Sequence, residues 1–390
     1  MCPWFESRWY HNSNKRTPVR LLHFAPMPDH LSLPSGIYLD LQFSALRKHL
    51  DQHRPSSVVV IMDRNTEKHC LPALNPHLPP GTQFLGLSGT GERIKSLEHA
   101  HALWDSLDGL GMDRDGLIIP LGGGTVTDLG AFVASTYLRG VDCWLIPTSL
   151  LGMVDASIGG KTGVNFQGLK NRIGTISQPV GISIHPPFLQ SLPQREWRSG
   201  MAEHIKHMLI HPDGTLDVLP TKDEHPIDPV AFTPGILSSI QVKSTIVAQD
   251  PLEKQGIRDQ LNFGHTIGHA IESWAHETQT DVRHGEAIAW GMRVALRMSE
   301  NHTACPKAAA GTFNEAIAWL QKTIPLPCAP PPPDTLWDIM LSDKKNKSGA
   351  MREVLLNGQG QPVTGLEIPF EAFATASDSI AAEAEGDGTW

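Results

Sequence analysis

Cysteine is scarce in this chain of 390 residues, and the five present (Cys2, Cys70, Cys143, Cys305 and Cys328) are odd in number, widely spaced and form no CxxC pair. A disulfide framework is thereby disfavoured, and reduced thiols in a cytoplasmic protein are expected. No stretch approaches eighteen uninterrupted apolar residues, and the opening Met1-Cys-Pro-Trp-Phe-Glu-Ser-Arg8 lacks an apolar core. Neither membrane spanning nor export is expected. Excess positive charge is missing as well: 32 Lys and Arg stand against 41 Asp and Glu, a formal charge of -9. That balance argues against a general nucleic-acid binder, so any anionic ligand has to be met by locally gathered cations. Three familiar signatures are absent. HExxH fails because Thr266 occupies the glutamate position, GxGxxG does not occur, and GxxxxGK[ST] fails because Asp155 stands five residues before Gly160. Metalloprotease and P-loop ATPase readings are correspondingly weak.

What is present reads as an α/β half followed by a helical half. With 40% hydrophobic residues the chain can bury a large core and is long enough for two domains. Ser57-Val-Val-Val-Ile-Met62 and Gly116-Leu-Ile-Ile-Pro-Leu121 read as buried parallel strands, with an amphipathic helix over 96–107 between them. A further strand at 141–146 leads through Pro147 toward the Gly-rich loop Ile158-Gly-Gly-Lys-Thr-Gly163, and a strand is possible at Val19-Arg-Leu-Leu-His-Phe24. Beyond residue 188 helical periods dominate, over 197–210, 234–249, 265–275, 285–300 and 312–322. The expected organisation is an N-terminal Rossmann-like domain over 1–188, with residues 1–20 an extension of unassigned role, and an all-α domain over 189–390. Pro325-Leu-Pro-Cys-Ala-Pro-Pro-Pro-Pro333 should be a stiff connector, and the acidic end from Ala374 a frayed helix and tail.

The densest chemistry lies in Asn262-Phe-Gly-His-Thr-Ile-Gly-His269 and His284-Gly-Glu286. On a helix His265 and His269 stand at i and i+4 on one face, and three histidines so close suggest a metal. Gly200-Met-Ala-Glu203-His-Ile-Lys206 is the natural source of an acidic ligand, with Glu203 and Lys206 one helical turn apart. Gly122-Gly-Gly-Thr-Val-Thr-Asp128 joins a strand to a helix, where bare backbone and uncapped helix N–H groups can approach a pyrophosphate; a plain tight turn is the alternative. Asp63 ends a neighbouring strand and could take ribose hydroxyls or simply cap a helix. Lys161, Lys170 and Asn171 suit a phosphate or carboxylate, as do Lys243, Arg258 and Lys344-Lys345.

Together these motifs resemble the 3-dehydroquinate synthase family of sugar phosphate cyclases, over roughly residues 57 to 360. The resemblance rests on LGGGTVTDLGAFVASTYLRG, IPTSLLGMVDASIGGKTGVN, LKNRIG, SGMAEHIKH, IRDQLNFGHTIGHAIES, RHGEAIAWGM and SDKKN, in family order. It implies a homodimer, an NAD-binding α/β domain, a helical domain, and shikimate-pathway chemistry on a heptulosonate phosphate. Glu203, His265 and His284 would hold zinc or cobalt. His269 would then join Lys161, Asn171, Asn262 and Lys344 or Lys345 around the substrate phosphate. Lys243 and Arg258 resemble the carboxylate-binding pair, Asp155, Lys206 and Glu253 the contacts to ring hydroxyls, and Arg139 the arginine that reaches a neighbouring subunit's site. NAD would be met by Asp63, Asn65, Glu92, Lys95, Gly123, Gly124, Asp128, Thr148, Ser149 and Lys170, with Phe188 and Glu196 beside them.

The family's chemistry is a transient oxidation, phosphate elimination, reduction and intramolecular aldol closure, without net redox change. The sequence departs from the family pattern where Leu169 replaces the usual glycine before Lys170-Asn171, and where Pro251–Gly256 runs one residue longer than in many relatives. Cyclases of sedoheptulose 7-phosphate or glucose 6-phosphate are the nearest alternative, but those substrates offer no carboxylate to Lys243 and Arg258. An oxidoreductase of the glycerol dehydrogenase group would not need the phosphate-cradling lysines. A noncatalytic relative would be expected to lack a metal ligand or Lys161, and none is lost.

Overall fold

The computed structural model describes residues 33–89, 91–167, 169–214, 228–308, 311–342 and 351–386. The strand expected over 19–24, the extension over 1–20, and Lys344 and Lys345 lie outside them. Two compact units emerge: Met1–Leu192 with Asp228–Gln241, and Pro193–Ile227 with Val242–Trp390.

The first unit runs β1 (Ile37–Leu39), α1 (Ser44–His53), β2 (Val58–Asp63), α2 (Arg64–His69), α3 (Leu71–Leu74), β3 (Gln83–Leu87), α4 (Leu97–Gly109), β4 (Leu117–Gly122), α5 (Gly124–Thr136), β5 (Asp142–Pro147), β6 (Val164–Phe166), β7 (Leu169–Ile173) and β8 (Gly181–Ile184). Six strands form one parallel sheet in the order β1-β8-β5-β4-β2-β3. β2 and β4 are neighbouring interior strands of it, and their Val, Ile, Leu and Met side chains are buried on both faces, as strands covered on two sides require. Pro120 within β4 has no N–H to give, and the β4–β5 pairing lapses between Ile118 and Leu121. α4 buries Ala100, Leu103 and Leu107, as the amphipathic helix read over 96–107 requires, and Ser96 caps it by accepting from the His99 amide. β6 and β7 make a separate antiparallel hairpin.

Helices dominate the second unit: α6 (Gln194–Ile210), the C-terminal part of α7 (Thr233–Gln249), α8 (His265–Glu277), α9 (His284–Ser299), α10 (Asn314–Thr323), α11 (Pro333–Ser342) and α12 (Phe370–Gly386). α9 is buried almost all round, packed by α6, α8, α10 and α12, so its apolar residues do not confine themselves to one stripe. Two features differ from the sequence expectation. Residues 351–368 form an antiparallel hairpin, β9 (Met351–Leu356) and β10 (Pro362–Ile368), within what reads as an all-helical half. Asn357-Gly358 at its turn is the signal that could have found it. The acidic end is not a frayed tail as far as Gly386: α12 places Phe373, Ala376, Ile380 and Ala384 on one buried stripe that packs on α9 and α11.

Candidate active site

At the carboxyl end of β4 the chain turns through Gly122-Gly-Gly124 into α5, and Asp63 ends the adjoining β2. Strand order reverses between these two strands, because the chain passes from β2 out to β3 and returns to β4 on the other side. Open parallel sheets take ligands at such a switch point. No side chain caps the N-terminus of α5, so its first N–H groups and dipole favour an anion there. Asp63 does cap α2, its Oδ1 accepting from the Asn65 and Thr66 amides at 2.9 Å each; its Oδ2 takes no part in that cap.

Around this turn the polar side chains form a connected set. Lys95 is buried and donates from Nζ to Asp128 at 2.5 Å and to the side-chain oxygen of Asn171. Asn171, held at φ +53°, donates its N–H to Asn165 Oδ1 at 2.9 Å, and Asn165 Nδ2 donates to Glu92 at 2.8 Å. Asn165 therefore ties together two residues singled out from the sequence, a link that its residue type alone did not signal. The Thr148 N–H donates to Gly122 O, and Ser149 Oγ accepts from the Gly152 N–H at the start of a π-helical turn over Gly152–Ala156 that carries Asp155. Such turns recur at functional sites. Lys161 and Lys170 are exposed on and beside the β6–β7 hairpin, while Phe188 is buried against Phe43 and His185.

In the second unit three side chains from three helices converge. Glu203 on α6 is fully buried, with Oε1 3.4 Å from His265 Nε2 at the start of α8 and 3.3 Å from His284 Nε2 at the start of α9. Oε1 makes no hydrogen bond of proper geometry to either ring. The three atoms thus aim at a common point rather than at one another, and all lie within 4.8 Å. His265 Nδ1 lies 3.2 Å from the Phe263 carbonyl and His284 Nδ1 3.2 Å from Glu272 Oε2. Each Nδ1–H has an acceptor, which leaves both Nε2 lone pairs facing the common point. One carboxylate oxygen and two imidazoles suit zinc or cobalt.

The electrostatics are those of a strongly anionic pocket, where a metal would compete with protons for the same ligand atoms. Burial pushes the Glu203 carboxyl up, but Lys206, His265 and His284 outweigh it and hold it well below the usual carboxylate range. Lys206 reaches the other oxygen, Oε2, as a buried ion pair one turn along α6. Burial and the Lys206 ammonium lower His265. Burial also opposes charge on His284, yet the carboxylates of Glu272 and Glu203 raise it to about 10. His269 stands beside this set, its ring centroid 5.3 Å from that of His265 and 6.4 Å from that of His284, and is not among the three converging ligand atoms.

Comparison with known proteins decides the family. The model of the 3-dehydroquinate synthase N-terminal domain matches residues 87–199 and that of the C-terminal domain residues 200–346. The chain belongs to the 3-dehydroquinate synthase family. It is 33% identical over 320 residues to a 3-dehydroquinate synthase of Parabacteroides distasonis, covering 81% of this chain and 89% of that one. Among solved structures it is similar to a 2-deoxy-scyllo-inosose synthase complexed with carbaglucose-6-phosphate, NAD+ and Co2+ (TM-score 0.73, 23% identity, 87% of this chain and 94% of that one). It is also similar to a 2-epi-5-epi-valiolone synthase from Streptomyces hygroscopicus subsp. jinggangensis with NAD+ and Zn2+ bound (TM-score 0.71, 23% identity, 96% and 100% covered). At that identity the two structures support the fold alone.

The remaining residues that the resemblance singled out are placed as follows. Lys243 on α7 and Arg258 are both buried, Arg258 donating to the Pro251 carbonyl at 3.3 Å. Asn262 is half-buried just before α8, and Glu253 is exposed on the turn after Asp250 with φ +54°. Arg139 is exposed at the tip of a short turn where Leu138 and Arg139 both have positive φ, 50° and 66°. Two adjacent non-glycine residues in that region cost about 1–2 kcal/mol each. Glu196 forms an ion pair with Arg283 at 2.9 Å. Sequence reasoning missed Glu272, which holds the His284 ring, and Arg195, whose guanidinium bonds Glu286 and Asp281. Among the described residues no helix is long and apolar enough to cross a membrane.

Proposed function

We propose that this protein is a 3-dehydroquinate synthase, a phosphate-eliminating lyase. It converts 3-deoxy-D-arabino-heptulosonate 7-phosphate to 3-dehydroquinate and phosphate, with NAD and a divalent metal, zinc or cobalt, as catalytic partners. The observation that carries the reading is the convergence of buried Glu203, His265 and His284 in a chain that matches this family through both of its halves. When bound, NAD supplies a reversible hydride acceptor and the metal a Lewis acid.

The chain's own groups then have defined tasks. Glu203, His265 and His284 hold the metal, and Glu272 and the Phe263 carbonyl keep the two rings in the ligating tautomer. The uncapped start of α5 at Gly123-Gly124 takes the pyrophosphate, and Asp63 Oδ2 the ribose, with Lys95 and Asp128 fixing the wall beside them. Lys243 and Arg258 pair with the substrate carboxylate. Lys161, Asn171, Asn262, His269 and Lys344 or Lys345 cradle the phosphate and stabilise the charge that grows on it as it leaves. Asp155, Lys206 and Glu253 orient the hydroxyls. Lys206 Nζ lies on Glu203 Oε2, and would hold or move a proton at the substrate hydroxyls that it orients. Arg139 completes the site of a second subunit in a homodimer, a reading that its outward, strained turn supports. The four described cysteines, all free, suit a cytoplasmic setting.

The test is phosphate release from 3-deoxy-D-arabino-heptulosonate 7-phosphate by purified protein, with NAD and zinc supplied and with each withheld after stripping. Release that needs both, without accumulation of NADH, is expected. No release, with turnover of sedoheptulose 7-phosphate instead, would move the protein to another cyclase activity.

A further inference from the structure

Arg195 touches none of the converging ligand atoms, yet it joins the two helices that carry two of them. It sits on the first turn of α6, eight residues before Glu203, and its guanidinium grips the first turn of α9, where His284 is the first residue. Nε donates to Glu286 Oε1 at 2.6 Å and Nη2 to Glu286 Oε2 at 2.8 Å, a two-pronged pairing with a buried carboxylate. The same guanidinium donates from Nη1 to the Asp281 carboxylate at 2.6 Å and from Nη2 to the Asp281 carbonyl. Glu286 in turn accepts from the Arg283 amide at 2.7 Å, and the Arg283 side chain pairs with Glu196 on α6. The segment leading into His284 is therefore fastened to α6 on both sides. Gly285 allows the approach: a Cβ there would lie 2.2 Å from the Ser199 carbonyl, and its amide donates to Ser199 Oγ.

We infer that Arg195, through Glu286 and Asp281, is a positioning residue for the metal centre, setting the distance between His284 and Glu203 and hence how tightly a divalent metal is held. The inference rests on the proposed ligand set. Arginine suits the task because its planar fork fixes both distance and angle, which a lysine ammonium cannot. Second-sphere groups of this kind change metal affinity by about 10- to 100-fold. Arg297, toward the other end of α9, provides the comparison: it pairs with Glu300 and Glu383 at 2.8 Å each, roughly 20 Å along the helix from His284.

The experiment measures zinc affinity by chelator competition on the full-length protein, together with the thermal midpoint of each metal-free form. Arg195→Ala is expected to weaken zinc binding about 10- to 100-fold and Arg195→Lys by an intermediate amount, with activity restored by excess zinc and KM for substrate unchanged. Arg297→Ala is expected to lower the midpoint while leaving zinc affinity within about twofold of wild type. Should Arg195→Ala fail to fold, Arg195→Lys and Asp281→Asn carry the same test. Zinc affinity unchanged in the Arg195 variants, or equally reduced by Arg297→Ala, overturns the inference while leaving the ligand set intact. His284→Ala with full zinc retention overturns the ligand set and the inference with it.

Discussion

At the turn from β4 into α5, the groups offered to a ligand are backbone N–H and side chains that already bond one another, as Lys95, Asp128 and Asn171 do. On α6, α8 and α9 they are three side chains whose ligating atoms converge without bonding, in surroundings that shift the protonation of each. A site made of backbone tolerates changes in side-chain identity and is sensitive mainly to bulk. A site made of three side chains fails when any one is removed. The helical unit also carries buried charge that the sheet unit largely avoids, with Glu203, Lys206, Arg258, Glu286 and Glu353 all below a tenth exposed. Loss of function there should be steep, and in the sheet unit graded.

His265→Ala tests the steep side. Bound zinc should fall to near zero by metal analysis and turnover by about 10³-fold or more, with the circular dichroism spectrum unchanged. Full metal retention would remove His265 from the ligand set. Gly124→Val tests the graded side: its Cβ would lie 3.2 Å from that of Ala156 and its branches would cover the start of α5. NAD affinity, read by fluorescence titration, should weaken about 10- to 100-fold while zinc stays bound. Zinc lost along with NAD would mean that the two regions do not act separately. Lys95→Met should have a smaller effect, about tenfold on NAD affinity, because Asp128 and Asn171 keep their backbone positions when the buried ammonium is gone. An unchanged affinity would take Lys95 out of the nucleotide wall.

The same contrast governs how much could be read from the sequence. β2, β4 and the glycine turn were legible because a strand buried on both faces is a continuous β-branched run and a strand-to-helix turn needs small residues. His265 and His269 share a face because helical spacing dictates it, and Glu203 was legible as an acid one helical turn from Lys206 in Gly200-Met-Ala-Glu203-His-Ile-Lys206. Nothing local marks Glu272 as the partner of His284, since the two are twelve residues apart on different helices and meet only through the packing of α8 on α9. Arg195 reads as an ordinary helix-start residue until Asp281 and Glu286 arrive from about ninety positions away. α12 was misjudged because alanine on a buried stripe and alanine in a fraying end are the same letter. The β9–β10 hairpin was missed because the helical pattern on either side outweighed one Asn-Gly turn.

Glu353 is where the charge buried in the helical unit should show most plainly in stability rather than catalysis. Its carboxyl lies within β9, 2% exposed, with Oε1 accepting from the Val354 amide at 2.9 Å and no hydrogen bond to Oε2. Burial raises it to about 8, although the neighbouring Val354 amide, Thr266 hydroxyl and amides at the start of α8 oppose the rise. Because the folded value lies above the unfolded one near 4.5, the folded chain keeps a proton that the unfolded chain has released throughout that interval. The contribution of this group to stability is therefore greatest below about pH 4.5, falls as the pH rises toward 8, and levels off above it, a loss of at most about 5 kcal/mol. Glu353→Gln removes the titration and keeps the shape. Its thermal midpoint should match wild type near pH 4.5 and exceed it by several degrees at pH 8 and above, a gap that widens steadily between. Midpoint curves that run parallel across this range would mean that Glu353 ionises as readily folded as unfolded, and the contrast in buried charge would then rest on the Glu203 cluster and on the Arg195 fork.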